Sequence, residues 1–216
     1  MRSYLDILVP IIRGRRVLDV GSIAHNYENR SSYKVWNFDI LRRYAQSLIG
    51  IDILATEVEK AQRDGYDIRL GDAESFLLAN PVDVVLAGDI IEHLSNPGLF
   101  LACAWKNLVN NGHLVVVTPN TFCFSRIWRI CSALTNDPPV NPEHTCYFTP
   151  RTLAELAHRH RFDVADVQYC NINYSFEKQP TRRRILLRVN AGLTALRPQL
   201  AQLFVAVLHK RIACLP

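Results

Sequence analysis

Two carboxylates stand where ligand chemistry can be expected. Asp19 lies in the apolar run Arg16-Val17-Leu18-Asp19-Val20, just ahead of Gly21-Ser22, and Asp52 closes Leu48-Ile49-Gly50-Ile51. In an alternating strand and helix chain, the carboxyl ends of parallel strands open onto the crevice where nucleotides bind. A carboxylate at the tip of the second strand is placed to accept hydrogen bonds from both hydroxyls of a ribose. The pair therefore points to an adenosine-containing cofactor. Gly21 lets the backbone turn sharply and approach a ligand; taken alone, it fits a structural tight turn as well. Ile23 and His25 stand where a phosphate cradle would have glycine. A pyrophosphate needs close backbone approach and several exposed N–H groups, so a cofactor without phosphate fits better.

Further polar residues follow the same logic. Asp19 reads equally as a ligand contact or as a carboxylate that organises the loop. Asp72, in Gly71-Asp72-Ala73-Glu74, could accept from the exocyclic amine of an adenine, or N-cap a helix beginning near Glu74. Gly88-Asp89-Ile90-Ile91-Glu92-His93-Leu94 gathers a small residue, two carboxylates and a histidine where cofactor and substrate would meet. A His–Glu cluster there could hold a metal, but a second histidine at helical spacing is missing, and no metal is expected. Asn141 to Phe148 is a loop dense in polar and aromatic groups, His144 among them. It fits a substrate-facing loop or buried capping equally.

The elements that must position these residues are legible as short apolar runs: 17–20, 47–51, 67–70, 82–87 and 113–118 read as buried parallel strands. Helical stretches alternate with them at 33–46, at 55–63 (stopped by Asp64-Gly65) and at 99–109 (bounded by Asn96-Pro97-Gly98 and Asn110-Asn111-Gly112). That alternation predicts an α/β fold with a doubly wound parallel sheet and right-handed crossovers. Residues 119–150 hold five prolines and read as a cap or lid with a helix near 125–134. Thr149 is a plausible N-cap ahead of Pro150 for a helix to about residue 160. Strands are expected at 162–169 and 203–208, with a basic helix from Arg182 to about Leu196 between them.

A length of 216 residues predicts one domain, or one domain with an appendage. The hydrophobic share of 49% and charged share of 21% suit a soluble globule. Six cysteines form no CxxC pair, which predicts reduced thiols and a cytoplasmic setting. Asp6 and Pro10 interrupt the apolar start, so neither a signal peptide nor a spanning helix is expected. Charge is unevenly spread: residues 1–175 carry 17 Lys+Arg against 19 Asp+Glu, and residues 176–216 carry 8 against 1. The basic tail points to an anionic partner or membrane surface, or to a solvated helix face.

Taken together, these segments resemble the class I S-adenosylmethionine-dependent methyltransferases. LDVGS resembles their first motif, IGIDI their ribose strand and GDAESF their adenine loop. DVVLAGDIIEHLSNPGLFLACAWKNLVNNGHLVVVTPN resembles their fourth strand through the fifth, and PEHTCYFTP the closing loop of the small methyltransferase-domain subgroup, with EHLSNPG, TPN and PEHTCYFTP the most specific pieces. The later glycines of the first motif are replaced by Ile23 and His25, and the spacing from Asp19 to Asp52 is longer than usual. The resemblance implies a single Rossmann-like domain over 1–216 with seven strands, mostly parallel, the last antiparallel. It implies a lid-like segment near 119–150 and a basic helical insertion near 176–200. It puts Asp19, Gly21 and Ser22 at the methionine moiety of S-adenosyl-L-methionine, Asp52 at the ribose, Ile53 beside the adenine with Asp72 and Ala73, and Gly88 near the sulfonium. Methyl transfer to a hydroxyl would want a base, for which His93 and His144 are the candidates, with Glu92 or Glu143 orienting. The expected acceptor is a small molecule, a saccharide or a lipid-linked compound, with nucleic acid disfavoured by the acidic main body. The alternatives are a non-catalytic binding module acting through the basic tail, and a nucleotide-dependent oxidoreductase, against which the missing GxGxxG argues.

Overall fold

A computed structural model of the chain describes residues 4–23, 27, 36–132, 141–172 and 181–212, apart from the side chains of Arg182 and Arg183. His25, the start of the helix expected at residue 33 and the end of the one expected at 125–134 lie outside the described residues. Seven strands form one sheet: β1 (Arg16–Val20), β2 (Ser47–Asp52), β3 (Ile68–Leu70), β4 (Val82–Gly88), β5 (Leu108–Pro119), β6 (Phe162–Cys170) and β7 (Leu203–Lys210). Their order across the sheet is β3-β2-β1-β4-β5-β7-β6. The first five are parallel, and β7 enters antiparallel between β5 and β6. The order reverses between β1 and β4, which opens a crevice at their carboxyl ends. This is the expected doubly wound sheet with an antiparallel last strand.

Alternation along each central strand builds two apolar layers. Leu18, Val85, Ala87, Leu114 and Val116 face α4 (Pro97–Asn107) and α6 (Pro150–Arg159). Val17, Val84, Leu86, Val115 and Val117 face the N-terminal helix α1 (Tyr4–Ile12), whose Ile7, Leu8 and Ile12 are buried. A third cluster joins Ile23 and Tyr27, after β1, to Phe38 of α2 (Asn37–Tyr44) and Val58 and Ala61 of α3 (Ala55–Arg63). Arg16 fixes the start of β1 against β4, with Nη2 donating to Asp83 Oδ1 at 2.8 Å and the backbone N–H to Oδ2 at 2.9 Å.

Two expectations need correction, and one further segment acquires a structural role. No helix begins near Glu74; residues 73–75 form a turn in which the Glu74 N–H donates to Asp72 Oδ1 at 2.9 Å. The buried Asn107 amide latches that segment, accepting from the Leu78 N–H at 2.6 Å and donating to the Phe76 carbonyl at 2.8 Å. Side-chain bonds of this kind offer the backbone an alternative to a helix. Second, Asn110-Asn111-Gly112 does not end an element. It is an irregularity inside β5, with Asn111 at φ 65° and the pairing stepping from Val82↔Leu108 to Val84↔His113. The apolar N-terminus, given no structural role from sequence, is a packed helix. The basic segment forms α7 (Thr181–Leu196) between β6 and β7, and α5 (Phe124–Ser132) lies in the proline-rich stretch.

Candidate active site

The crevice between β1 and β4 is built on backbone. Gly21 sits at φ 73°, a left-handed conformation that penalises any side chain, and a Cβ there would come within 3.0 Å of Ile90 Cδ1. Its N–H donates to the Ile51 carbonyl at 2.9 Å, folding the loop back over β2. Ser22 Oγ donates to the Asp19 carbonyl at 2.8 Å and rests in the space that a Cβ on Gly50 would fill. Asp52 receives the Ile23 N–H on Oδ2 at 2.8 Å and the Leu54 N–H on Oδ1 at 3.1 Å. The carboxylate expected at the ribose thus also holds the first loop in shape. Tyr27 continues that anchoring, its N–H on Glu57 Oε2 and its hydroxyl on Asp64 Oδ2, at 2.8 and 2.9 Å. Ile23, in place of a later glycine, and Tyr27 after it are thus both held by side-chain hydrogen bonds.

Ile53 follows Asp52 and is 68% exposed, an apolar platform at the rim. Asp72 is exposed and Ala73 buried across the neighbouring turn. Asp72 therefore closes a turn rather than capping a helix. At the end of β4, Gly88 is exposed, and a Cβ there would meet nothing within 4 Å. That open space lies where the resemblance puts the sulfonium.

Charge in the crevice is negative and under strain. Burial is the main force on Asp19, pushing its carboxyl up to about 7; the Ser22 hydrogen bond opposes this and the Asp52 charge adds to it. Asp89 follows Gly88 at φ 50°, a left-handed conformation, with its N–H on the Val117 carbonyl at 2.9 Å. It is reached by solvent yet crowded by protein on most sides, as in a concave cleft, and that crowding raises its carboxyl to about 6. Tyr4 of α1 is near enough to Asp89 and Asp19 to feel both charges, and mainly burial raises its phenol to about 12. Asp89 is one of the two carboxylates that the sequence places where cofactor and substrate would meet, without a specific role, and Tyr4 has none there. The Gly-Asp pair after the fourth apolar run was the available signal for the first, and Tyr4 carried none.

Beyond the crevice, a short 3-10 turn (Ile91–His93) carries Glu92 and His93. Glu92 is 1% exposed; Oε2 accepts from Thr118 Oγ1 at 2.9 Å, and burial pushes the carboxyl up to about 7. His144 arrives from the loop before α6, its ring centroid 4.5 Å from that of His93 in an edge-to-face pair. Burial, then the neighbouring His93 and Arg126 charges, lower its pKa. Tyr147 stands 5.3 Å from His144, with the Arg126 guanidinium 4.3 Å over its ring. Phe148 is buried. Glu143, the other orienting candidate, is exposed on the same loop. One donor atom from each of Glu92, His93 and His144 lies within 4.8 Å of the others. The second histidine absent at helical spacing is supplied by a distant loop.

The fold is of the doubly wound class, with its crevice at the β1/β4 switch point. A methyltransferase-domain family model matches residues 1–167, and the chain belongs to that family. A probable S-adenosylmethionine-dependent methyltransferase of Mycolicibacterium smegmatis is 33% identical over 131 residues, 59% of this chain and 48% of that protein. The chain thus spans about half the length of this curated relative. Among solved structures, an S-adenosylmethionine-dependent methyltransferase of Mesorhizobium loti aligns with a TM-score of 0.63 at 15% identity, covering 96% of each chain. The N-methyltransferase NodS of Bradyrhizobium japonicum, bound to S-adenosyl-L-homocysteine, aligns with a TM-score of 0.57 at 13% identity, over 96% of this chain and 84% of that one. At such identity the structures speak for the fold. The cofactor of the family is S-adenosyl-L-methionine.

Proposed function

We propose that this chain moves the methyl group of S-adenosyl-L-methionine to an oxygen of a small-molecule, saccharide or lipid-linked acceptor. The observation that carries the reading is the β1/β4 switch point, where Asp52, Asp19 and Asp89 stand at the carboxyl ends of the neighbouring strands β2, β1 and β4 and the space at Gly88 is open. S-adenosylmethionine has a sulfonium and an ammonium against one carboxylate, so a negative, partly desolvated cleft favours it over its neutral product. In this reading Asp52 takes the ribose while keeping its loop amides, Ile53 and Ala73 flank the adenine, Asp72 takes its amine, and Asp19, Gly21 and Ser22 back the methionine end.

Transfer is an in-line displacement: the acceptor oxygen bonds to the methyl carbon as the carbon–sulfur bond breaks, and the thioether leaves uncharged. The donor is already activated, so alignment can supply up to ~7–11 kcal/mol of the barrier. An acceptor hydroxyl must also give up its proton, and Glu92, His93 and His144 are the groups assigned to weaken that bond. Tyr147 and Phe148 shape the acceptor side, and residues 119–132 and 141–150 act as its cover. Incubation with methyl-labelled S-adenosylmethionine and fractionated cell extracts tests this. The expected product is an O-methyl compound from a membrane or small-molecule fraction; label on nitrogen would overturn the assignment to oxygen.

A second reading, an interaction surface on α7, is favoured by one observation. Ile185, Leu186, Val189 and Leu196 are exposed on α7 beside exposed Arg184 and Arg188. Apolar and basic groups on one exposed helix suit an anionic membrane face. Among the described residues no helix is long and apolar enough to cross a membrane. We propose a cytoplasmic chain peripheral to the membrane, its tail presenting the cleft to lipid-linked acceptors. The same surface would serve a non-catalytic module if the cleft took no cofactor.

A further inference from the structure

We infer that Glu92, His93 and His144 hold a divalent transition-metal ion on the acceptor side of the cleft, and that the acceptor oxygen binds to it. The inference rests on the methyl-transfer reading for its role, but not for its existence.

The geometry is that of two imidazoles and one carboxylate converging from two segments, with donor atoms within 4.8 Å of one another. Donors sharing one ion at ~2.1 Å stand roughly 3–3.4 Å apart, so small side-chain rotations close the set. Two atoms call for a ligand independently of the spacing. Glu92 Oε1 and His144 Nδ1 are buried and have no hydrogen-bond partner among the described residues. Glu92 is 1% exposed, and a buried carboxylate with an unsatisfied oxygen is costly unless it is paired or bound to a metal. Its second oxygen is fixed by Thr118 Oγ1, the kind of outer bond that orients a ligating carboxylate.

The two segments are also fastened together. The Thr145 N–H donates to the Glu92 carbonyl at 2.8 Å, and Thr145 Oγ1 donates to the Leu94 carbonyl at 2.6 Å. His144 is thus strapped beside the turn that carries its two partners. Two imidazoles with one carboxylate suit Zn²⁺, Mn²⁺, Fe²⁺ or Co²⁺ better than Mg²⁺, which prefers oxygen, and three protein ligands leave positions open. An acceptor hydroxyl in an open position would lose its proton to solvent more readily, as metal-bound water does. The oxygen lone pair then forms the bond to the methyl carbon.

Chelator-treated full-length protein titrated with Co²⁺ should develop visible d–d absorption saturating at one ion per chain, and Zn²⁺ should compete it away. Glu92→Gln and His144→Ala should each weaken binding by more than ~100-fold, beyond the 10–100-fold typical of losing an outer partner. Thermal melting checks that each variant folds, and His144, on a loop, is the safer of the two. No Co²⁺ spectrum in the wild type, or equal binding by folded His144→Ala, overturns the metal site. Titrating the same wild-type sample with S-adenosylhomocysteine separates the two ideas: cofactor bound without metal sinks only this inference, whereas metal bound without cofactor leaves the site standing and removes its role in methyl transfer.

Discussion

Asp19 is the residue whose energetics and function pull in opposite directions. Its folded pKa, about 7, lies above the ordinary aspartate value of ~3.9. Its contribution to stability is therefore whole below pH ~4 and is lost as pH rises toward 7, a cost on the order of a few kcal/mol when ionised. Asp19→Asn should raise the melting temperature of the cofactor-free protein at pH 7.5 and flatten its dependence between pH 5 and 7. The same variant should bind S-adenosylmethionine more weakly, since the proposed reading sets the Asp19 charge against the cation. If melting scans instead show a less stable apoprotein at pH 7.5, Asp19 is a structural carboxylate only. Gly88→Leu probes the opposite face of the cleft. It adds bulk where nothing lies within 4 Å, so folding should survive and cofactor binding should vanish in calorimetry. The carboxylates Asp19 and Asp52 and the open glycine were legible because each ends or follows an apolar run. The meeting of His93 with His144 was not, because the contact joins segments far apart in sequence and no local period encodes it.

At the scale of elements, helices act on the site through their ends. Thr149 caps α6 in a reciprocal bond pair with Thr152: the Thr152 N–H reaches Thr149 Oγ1 at 3.1 Å, and the Thr149 N–H reaches Thr152 Oγ1 at 2.9 Å. Losing such a cap costs ~1 kcal/mol. Thr149→Ala should therefore lower stability by about that amount in chemical denaturation. It should also raise the KM for acceptor more than that for cofactor, because the loop with His144 and Tyr147 runs directly into the cap. Equal rises in both would mean that the loop does not serve the acceptor side. This cap was readable from Thr149-Pro150. The missing helix at Glu74 was not, since Asn107 lies well along the chain from the turn it latches. Asn110-Asn111-Gly112 misled for a related reason: its composition is that of a turn, yet pairing with β4 resumes at His113, past the left-handed Asn111.

The whole molecule divides its charge, with an acidic cleft in the body and basic groups in the last 41 residues. Replacing Arg184 and Arg188 with Glu should abolish sedimentation with anionic vesicles at low salt and leave affinity for S-adenosylhomocysteine unchanged. Vesicle binding that persists would assign the membrane face elsewhere. The doubly wound parallel class of the sheet was legible from the alternation of runs, and the antiparallel last strand from the family resemblance, whereas the exposed apolar residues of α7 could be located only once the helix was packed. Calorimetric titration of the full chain with S-adenosylmethionine and S-adenosylhomocysteine tests the account at its centre. The prediction is one site per chain, tighter for the charged donor than for its product at low salt, and lost in Gly88→Leu. No heat with either nucleoside at millimolar concentration, or undiminished binding by Gly88→Leu, would contradict it.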